Sequence, residues 1–340
     1  MKLISFLFRN EERAGLWYEN KVYDLCESGK ILNIKLPSKM SDLLNAEEEG
    51  LYLARKVNNA LIQGKITSQV TEGTYKMLAP VPHPASCRDA YAFRQHVATA
   101  RRNRGLDMIP EFDEFPVFYF TNHNAIYGEG SISVEEDHLR HLDYELESAI
   151  VISKRGKNIS YKEADNYIAG FMIMNDLSAR VLQMDEMKLN LGPAKGKDFA
   201  TSIGPWLVTP DELDEKLIKT DFGNTYSLRM TAKHNGKLIS HGNMKDMNWT
   251  FAEIIERASY GVELFPGDVI GSGTVGTGCY LELNGTWDLE AKAKGESFTP
   301  VWLKNGDDIE LEITGLGILK NKIVKSDNST SILAKKKSPK

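Results

Sequence analysis

The 340-residue chain has few cysteines and no long apolar run. Its three cysteines, Cys26, Cys87 and Cys279, are far apart and odd in number, which argues against a disulfide framework and indicates a reducing compartment. No segment approaches the roughly 18 apolar residues that a membrane span requires, and the N-terminal stretch lacks the features of a signal peptide. We therefore expect a soluble, cytoplasmic protein that does not bind membranes.

Clusters of basic residues are equally scarce. The net charge is −5, and the only dense basic group is Lys335–Lys337, in a polar C-terminal tail. Proteins that bind nucleic acid usually present a basic face with interleaved aromatic residues, and none is evident here. We therefore expect no nucleic-acid partner.

Several catalytic and binding motifs are also missing. There is no Gly-x-Ser-x-Gly elbow, and the loop at residues 192–201 lacks the spacing of a phosphate-binding loop. Residues 271–276 fit Gly-x-Gly-x-x-Gly, but residues 279–283 have the pattern of a strand where a dinucleotide site requires a helix. This loop is expected to let the backbone approach a ligand. A zinc site at His138 and His141 is a minor alternative.

The N-terminal part has a small set of strands and a helix. Strand patterns occupy residues 2–8 and 16–25, and a helical stripe begins near Ser41 and ends at Gly64. Alternating prolines at residues 79–84 predict an extended connector. We therefore divide the chain into a small α+β domain (1–78), a Pro-rich linker (79–84), a larger domain (85–325) and a polar Lys-rich tail (326–340).

The second part is richer in strands. Apolar runs of strand length occupy residues 115–120, 146–153 and 167–174, and Asn235-Gly236 predicts a two-residue hairpin turn. Residues 247–258 have a helical pattern. The predicted fold is α+β and mostly β, with a mixed β roll in place of a doubly wound sheet.

Three acidic residues indicate a metal site. Glu145 and Glu147 are two apart on a predicted strand and share a face, and Asp176 ends the next buried strand. Carboxylates that converge in a low-dielectric pocket repel one another, and a divalent cation is the usual compensation. The common alternative for a Glu-x-Glu pair is a solvated strand face. Lys197 is predicted to lie beside an oxyanion, with Thr201 closing its turn.

Residues 89–104 have a helical pattern. On such a helix Asp89, Phe93 and His96 would share one side. The alternative is an amphipathic helix with a histidine on the surface.

In combination, these segments resemble the fumarylacetoacetate hydrolase family over about residues 88–319. The motifs that carry the resemblance are Asp89-x-Tyr91-x-x-Arg94-Gln95-His96, Glu145-Leu-Glu147, Met174-Asn-Asp176-Leu-Ser-Ala-Arg180-x-x-Gln183, Leu191-Gly-Pro-x-x-Gly-Lys197-x-Phe-x-Thr201, Ile203-Gly-Pro-Trp206, Gly273-Thr274 and Leu281-Glu282-Leu283.

The resemblance implies a role for each matching residue and a β-roll homodimer. A metal would be held by four carboxylates: Asp89, Glu145, Glu147 and Asp176. His96 would activate water, oriented by Glu282, while Arg180 and Lys197 would face developing negative charge. Lys197 and Thr201 are also assigned to a second metal or structural cation. Substrate contacts would come from Tyr91, Tyr119, Gln183 and Thr274.

An all-oxygen ligand set suits Mg²⁺ or Ca²⁺, with Mn²⁺ as a further candidate. The implied reaction is hydrolysis of a C–C bond in a small diketo acid, fumarylacetoacetate or an acylpyruvate, as in aromatic amino acid catabolism. The alternatives are an oxaloacetate decarboxylase or 2-oxo acid isomerase of the same fold, or a non-catalytic binding protein.

The pocket departs from the family pattern at several positions. Leu177 stands where fumarylacetoacetases have Trp, and no Tyr is found near Met187. An expected Arg falls on Gly105, although Arg104 is adjacent, and Ala200 replaces a frequent Gly.

Overall fold

The computed structural model describes residues 1–328 and 330–333. Helices and strands alternate irregularly along the chain. The strands are β1 (Lys2–Phe8), β2 (Glu11–Tyr18), β3 (Lys21–Asp24), β4 (Tyr75–Met77), β5 (Cys87–Ala90), β6 (Phe118–Thr121), β7 (Ile126–Tyr127), β8 (Gly130–Val134), β9 (Leu142–Asp143), β10 (Leu146–Ile152), β11 (Gly156–Lys157), β12 (Ile168–Asp176), β13 (Ser178–Ala179), β14 (Thr201–Val208), β15 (Leu217–Thr220), β16 (Gly223–Tyr226), β17 (Arg229–His234), β18 (Lys237–Asn243), β19 (Glu263–Leu264), β20 (Val269–Gly271), β21 (Asp308–Ile313) and β22 (Gly317–Lys325). The α-helices are α1 (Leu25–Ile31), α2 (Met40–Asn45), α3 (Glu47–Ile62), α4 (Arg94–Arg102), α5 (Tyr161–Ala164), α6 (Arg180–Met187), α7 (Phe251–Ser259) and α8 (Tyr280–Lys294).

The larger sheet has eleven strands in the order β3-β2-β1-β14-β12-β10-β20-β5-β6, with β4 on β1 and β7 on β14. A second sheet has the order β18-β17-β21-β22-β8. Most neighbouring strands are antiparallel, but β14–β7, β20–β5 and β22–β8 are parallel. The predicted mixed, sheet-rich α+β fold is confirmed.

The N-terminal strands belong to the larger sheet. β1 pairs antiparallel with β14, with Lys2 opposite Val208 and Leu3 opposite Leu207. The β-meander that begins the chain therefore extends the sheet that carries Asp89, Glu147 and Asp176. The division into domains at residues 79–84 stays a prediction. The tail beyond residue 333, including Lys335–Lys337, lies outside the described residues, whereas residues 331–333 bond to Asp137.

Strands β10 and β12 are buried on both faces, which explains why they read as continuous apolar runs. Alternate side chains enter different cores, because successive residues of a strand face opposite sides of the sheet. Ile150 and Phe171 pack in one core, whereas Ala149 and Met172 pack in the other. The second face continues into Glu147 and Asp176, so apolar packing of these strands sets the position of both carboxylates.

Turn chemistry fixes several boundaries as predicted. The Asn235-Gly236 hairpin is confirmed, since both residues have positive φ, 49° and 80°. The predicted helix after Ser41 is interrupted, because Glu47 begins α3 with φ of 51°. Helix α7 begins later than predicted, at Phe251, where Thr250 and Glu253 form a capping box.

Two sequence-based assignments near the site are wrong. Asp89 lies in β5 and not on a helix, since α4 begins only at Arg94. Residues 279–283 were expected to form a strand, but α8 begins at Tyr280 and ends before Gly295, which adopts φ of 72°. The five-residue window resembled a strand because Tyr280, Leu281 and Leu283 are compatible with either structure, while the helix-forming residues lie further on.

None of the helices in the described part of the chain has both the length and the apolar character needed to cross a bilayer.

Replacing Phe171 with Ala should destabilise the protein strongly. Its ring is buried against Tyr226 and Phe251, so the substitution leaves a cavity that costs about 3–5 kcal/mol of unfolding free energy. Chemical denaturation would measure the loss. Tyr260→Ala is the control, because Tyr260 is 82% exposed and its removal should change the value by less than about 0.5 kcal/mol. Equal effects of both substitutions would contradict this account of the core.

Candidate active site

Three carboxylates converge at one place on the larger sheet, where β20 separates β5 from β10. One oxygen from each of Asp89, Glu145 and Glu147 lies within 4.8 Å of the others, and all three side chains are buried. We call these three residues the acidic cluster. Sheet register brings them together: Asp89 on β5 is opposite Gly271 on β20, and Gly271 is opposite Ala149 on β10, two residues after Glu147.

Gly271 makes room for the acidic cluster. A Cβ atom at this position would lie 2.5 Å from Asp89 Oδ1 and 3.1 Å from Glu147 Oε2. The backbone also supports the cluster, because the N–H of Gly273 donates to Asp89 Oδ1 at 3.0 Å. The glycine-rich loop therefore serves close packing at the carboxylates.

Asp176, the fourth predicted metal ligand, lies beside the acidic cluster. The ammonium group of Lys197 bonds both to Asp176 and to Glu145 of the cluster. Asp176 Oδ2 accepts a hydrogen bond from Lys197 Nζ at 2.7 Å and another from the hydroxyl of Tyr119. The same ammonium group also donates to Glu145 Oε2. Thr201, opposite Asp176 in the β12–β14 pairing, places its Oγ1 3.5 Å from Asp176 Oδ1. The Lys197 ammonium is thus the charge that bridges Glu145 and Asp176.

Burial and mutual repulsion set the ionisation of the carboxylates. Burial, reinforced by the charge of Asp176, raises the pKa of Asp89 to about 7. Burial and the charge of Asp89 raise the pKa of Glu147 well above its usual range. Glu145 behaves differently: burial opposes its ionisation, but Lys197 and Arg180 outweigh burial and hold its pKa at about 2. Without a further cation, the cluster therefore tends to retain protons.

The acidic cluster fits a hard divalent cation. Glu147 Oε2 is buried and has no hydrogen-bond partner among the described residues. A buried carboxylate oxygen without a partner is costly, and a metal ion would satisfy it. The available donors are all oxygens, which favours Mg²⁺, Ca²⁺ or Mn²⁺ over zinc.

A histidine–glutamate pair lies close to this cluster. His96, in the first turn of α4, places Nδ1 2.6 Å from Oε2 of Glu282, in the first turn of α8. Asn103 ties the two helices together by donating to the backbone oxygen of Glu282 at 2.9 Å. The imidazole of His96 is near enough to Glu145 to interact with it electrostatically. The structure thus joins two residues 186 positions apart and leaves Nε2 as the basic atom.

Arg180 is held by a carboxylate that sequence reasoning missed. Asp143 Oδ2 accepts from Arg180 Nε at 2.9 Å, and Arg180 Nη2 donates to Glu145 Oε1 at 2.8 Å. Asp143 also accepts the backbone N–H groups of Tyr280 and Leu281, at 2.7 and 2.9 Å. The position of Asp143, two residues before Glu145, was the feature of the sequence that could have revealed it.

Asp143 provides the structural reason against nucleotide binding at the glycine-rich loop. A helix does follow the Gly-x-Gly-x-x-Gly loop, so the expected strand cannot be the reason against a dinucleotide site. The N–H groups at the start of α8 would be the anion-binding donors, and the Asp143 carboxylate already occupies them. This capping opposes phosphate binding at that helix.

The four residues predicted to contact substrate all surround the cluster. The Tyr91 ring lies 5.9 Å from the His96 ring, and burial raises the pKa of Tyr91 to about 12, so its hydroxyl stays a hydrogen-bond donor. Thr274 Oγ1 donates to Glu147 Oε1 at 3.3 Å. Gln183 Oε1 accepts from Arg180 at 2.9 Å, and Tyr119 bonds to Asp176.

The loop that carries Lys197 is organised by Glu186, a second residue that the sequence did not reveal. The Glu186 carboxylate accepts the backbone N–H groups of Ala194, Lys195 and Gly196, at 3.0, 2.7 and 3.1 Å. Three consecutive N–H groups that converge on one carboxylate fix the backbone next to Lys197.

His138 and His141, the residues of the alternative zinc site, each pack against an aromatic ring. His138 stacks on Phe199 and accepts the N–H of Glu135, whereas His141 stacks on Trp302. Within the described part of the chain, neither belongs to a group of converging metal ligands.

The comparisons with known proteins identify the family. Residues 86–324 match the family model described as "Fumarylacetoacetate (FAA) hydrolase C-terminal", so the chain belongs to the fumarylacetoacetate hydrolase family of enzymes.

Curated relatives and solved structures agree with this assignment. The chain is 29% identical to rat "Oxaloacetate tautomerase Fahd2a, mitochondrial", over 95% of this chain and 92% of that protein. It is 30% identical to "Oxaloacetate tautomerase YisK" of Bacillus subtilis, over 79% of each. The fold is shared with fumarylacetoacetate hydrolase from Exiguobacterium antarcticum (TM-score 0.65, 23% identity, 96% of this chain and 100% of that chain). It is also shared with maleylpyruvate hydrolase from Sphingobium sp. SYK-6, solved with manganese(II) and pyruvate (TM-score 0.67, 19% identity, the same coverage).

Gly271→Ala should weaken cation binding by about 10- to 100-fold, the range for changes to groups that support metal ligands. The added Cβ would displace the carboxylates of Asp89 and Glu147. Titration calorimetry with Mg²⁺ or Mn²⁺ would measure the loss. Gly295→Ala is the matched control, since a Cβ there meets no atom within 4 Å and should leave cation affinity unchanged. Full affinity in Gly271→Ala would contradict the placement of the cation.

Lys197→Met should make the fold more dependent on the cation. Removing one partner of a buried ion pair costs about 3–5 kcal/mol, because Glu145 and Asp176 lose their countercharge. A divalent cation would then neutralise more of the remaining negative charge. Thermal unfolding with chelator and with Mg²⁺ should show a larger metal-induced rise in Tm than in the unmodified protein. Lys195→Met removes an exposed lysine and is the control; a similar metal-induced rise in all three proteins would refute the argument.

Proposed function

We propose that this protein is a metal-dependent tautomerase that interconverts the keto and enol forms of oxaloacetate or a closely similar 2-oxo acid. The observation that carries the proposal is the pairing of His96 with Glu282 beside the acidic cluster, a base next to a cation site. Support comes from the relatives named as oxaloacetate tautomerases, which align with most of the chain.

Asp89, Glu145, Glu147 and Asp176 are the residues that would hold the cation, with Mg²⁺ and Mn²⁺ as the favoured ions. When bound, the ion would polarise the carbonyl of the 2-oxo acid and make the neighbouring carbon more acidic.

His96 supplies the proton transfer. Its Nε2 takes a proton from C3 of the keto acid, and the electron pair of that C–H bond forms the C2–C3 double bond while the carbonyl π electrons move to oxygen. Glu282 accepts the Nδ1–H and stabilises the imidazolium. Return of the proton to the oxygen gives the enol, so no atom is gained or lost. The Tyr91 hydroxyl, beside His96, is placed to donate to the substrate.

Hydrolysis of a C–C bond in an acylpyruvate is the second candidate, and it is the reaction that the sequence analysis preferred. The same His96–Glu282 pair could remove a proton from water, whose oxygen would bond to the acyl carbonyl carbon of the substrate. The C–C bond would then break with its electron pair leaving as the enolate of the 2-oxo acid, which takes up a proton, and the acyl part would be released as a carboxylic acid. This candidate is supported by a structural neighbour named as a maleylpyruvate hydrolase, which was solved with manganese(II) and pyruvate. At one of the departures from the family pattern, Leu177 is fully buried in the apolar core.

His96→Ala should lower kcat for oxaloacetate tautomerisation by about 10²- to 10⁴-fold, the range for loss of a general base. Ultraviolet absorbance of the enol would follow the reaction in the presence of Mg²⁺ or Mn²⁺. His83→Ala is the control, since the His83 side chain is 77% exposed and its loss should leave the rate unchanged.

Cleavage of acylpyruvates by the unmodified protein, assayed in parallel, separates the two candidates. Cleavage without tautomerisation would replace the first candidate with the second. A tautomerisation rate in His96→Ala within about threefold of the original would remove His96 from the role of base.

A further inference from the structure

One residue of the loop between β20 and α8 has an unusual backbone conformation. Thr277 has φ of 69°, in the left-handed region. Branching at Cβ makes this region a genuine outlier for threonine, whereas glycine adopts it freely. Gly276 and Gly278 flank Thr277, so the loop has glycine available on either side and nevertheless places a β-branched residue at this position.

The hydroxyl of Thr277 holds this conformation. Oγ1 donates to the backbone oxygen of His241 on β18 at 2.9 Å and accepts the N–H of His241 at 3.3 Å. Ser240 Oγ lies 3.2 Å from Thr277 Oγ1. The side chain therefore bonds to the main chain of β18, a strand of the second sheet.

The backbone of Thr277 acts on the proposed catalytic pair. Its N–H donates to Glu282 Oε1 at 3.0 Å, while the other oxygen of Glu282 lies 2.6 Å from His96 Nδ1. Each oxygen of the Glu282 carboxylate thus has one hydrogen-bond partner, and the two hydrogen bonds together fix the orientation of the carboxylate plane. The loop is also aligned with β10, because Leu146, between Glu145 and Glu147, exchanges backbone hydrogen bonds with Val275 and Gly278.

We propose that Thr277 is a positioning residue for the His96–Glu282 pair. Its hydroxyl, fixed to β18, holds the left-handed backbone that directs the N–H at Glu282, and Glu282 in turn sets the direction of the imidazole. Backbone outliers that the surrounding contacts hold in place often mark functional positions. The kinetic part of the test rests on the proposed function, and the spectroscopic part does not.

The test compares Thr277→Val, which removes the hydroxyl and keeps the branched shape, with Thr277→Ser, which keeps the hydroxyl. In the Mg²⁺-loaded enzyme, Thr277→Val should lower kcat by about 10- to 100-fold, the scale expected when a catalytic group is misplaced by about 1 Å. KM and Mg²⁺ affinity should stay within about twofold, because the acidic cluster is untouched. Thr277→Ser should recover most of kcat.

The downfield proton resonance of the His96–Glu282 hydrogen bond gives a readout that needs no substrate. It should weaken or move upfield in Thr277→Val, persist in Thr277→Ser and disappear in Glu282→Gln. Combining Thr277→Val with Glu282→Gln should cost less in kcat than the product of the two separate losses, because both act through one carboxylate. Thr220→Val is the matched control, since it removes a threonine hydroxyl that bonds to a turn carbonyl between β15 and β16.

An unchanged resonance in Thr277→Val would overturn the proposal, and a fall in Tm or Mg²⁺ affinity with an unchanged resonance would make Thr277 a purely structural turn residue. If Thr277→Val does not fold, Thr277→Ala replaces it under the same criteria, because alanine also lacks the hydroxyl and, unlike glycine, does not adopt the left-handed region freely. If the protein tautomerises no 2-oxo acid, the proposed function fails while the resonance still decides the role of Thr277.

Discussion

Compensation of buried negative charge is the constraint on which the site depends. Two buried cations, Arg180 and Lys197, form ion pairs with Asp143, Glu145 and Asp176. Two further carboxylates, Asp89 and Glu147, are buried beside them. Full ionisation would leave a substantial negative excess in a region of low dielectric. Burial and the neighbouring Asp176 raise the pKa of Asp89 to about 7. This rise is a consequence of the excess negative charge. A divalent cation relieves the same excess without protons, so metal affinity and the ionic network are aspects of one electrostatic balance.

The local pattern of the central strands was readable from sequence because it depends on neighbours in the chain. The alternation around Glu147 and the abrupt polar end of β12 at Asp176 follow directly from strand geometry. Partners distant in sequence were accessible only through the family resemblance, as with His96 and Glu282. The start of α8 was misread because the group that caps it, Asp143, lies 137 residues earlier. Glu186 was not predicted for a different reason: its partners are backbone N–H groups, which carry no residue signature.

The proposed catalytic pair and the carboxylates belong to different parts of the architecture. His96 and Glu282 come from the first turns of two packed helices, whereas Asp89 and Glu147 come from neighbouring regions of the sheet. The loop between β20 and α8 joins these parts, since it contacts Asp89 through Gly273 and Glu282 through Thr277. A fold of this kind can retain its base and cation site while the pocket around them changes, so related chemistries that pass through an enolate are accessible to one scaffold.

The pairing of β1 with β14 has a consequence for biosynthesis. The first strand of the chain cannot complete its hydrogen bonds until residues near Leu207 and Val208 have left the ribosome. Until then, apolar residues such as Leu3 have only the meander and the first helices to cover them. Contacts of such large sequence separation form slowly, and unpaired strand edges favour aggregation. The nascent N-terminal segment is therefore incompletely paired, and open to aggregation, until β14 has been synthesised.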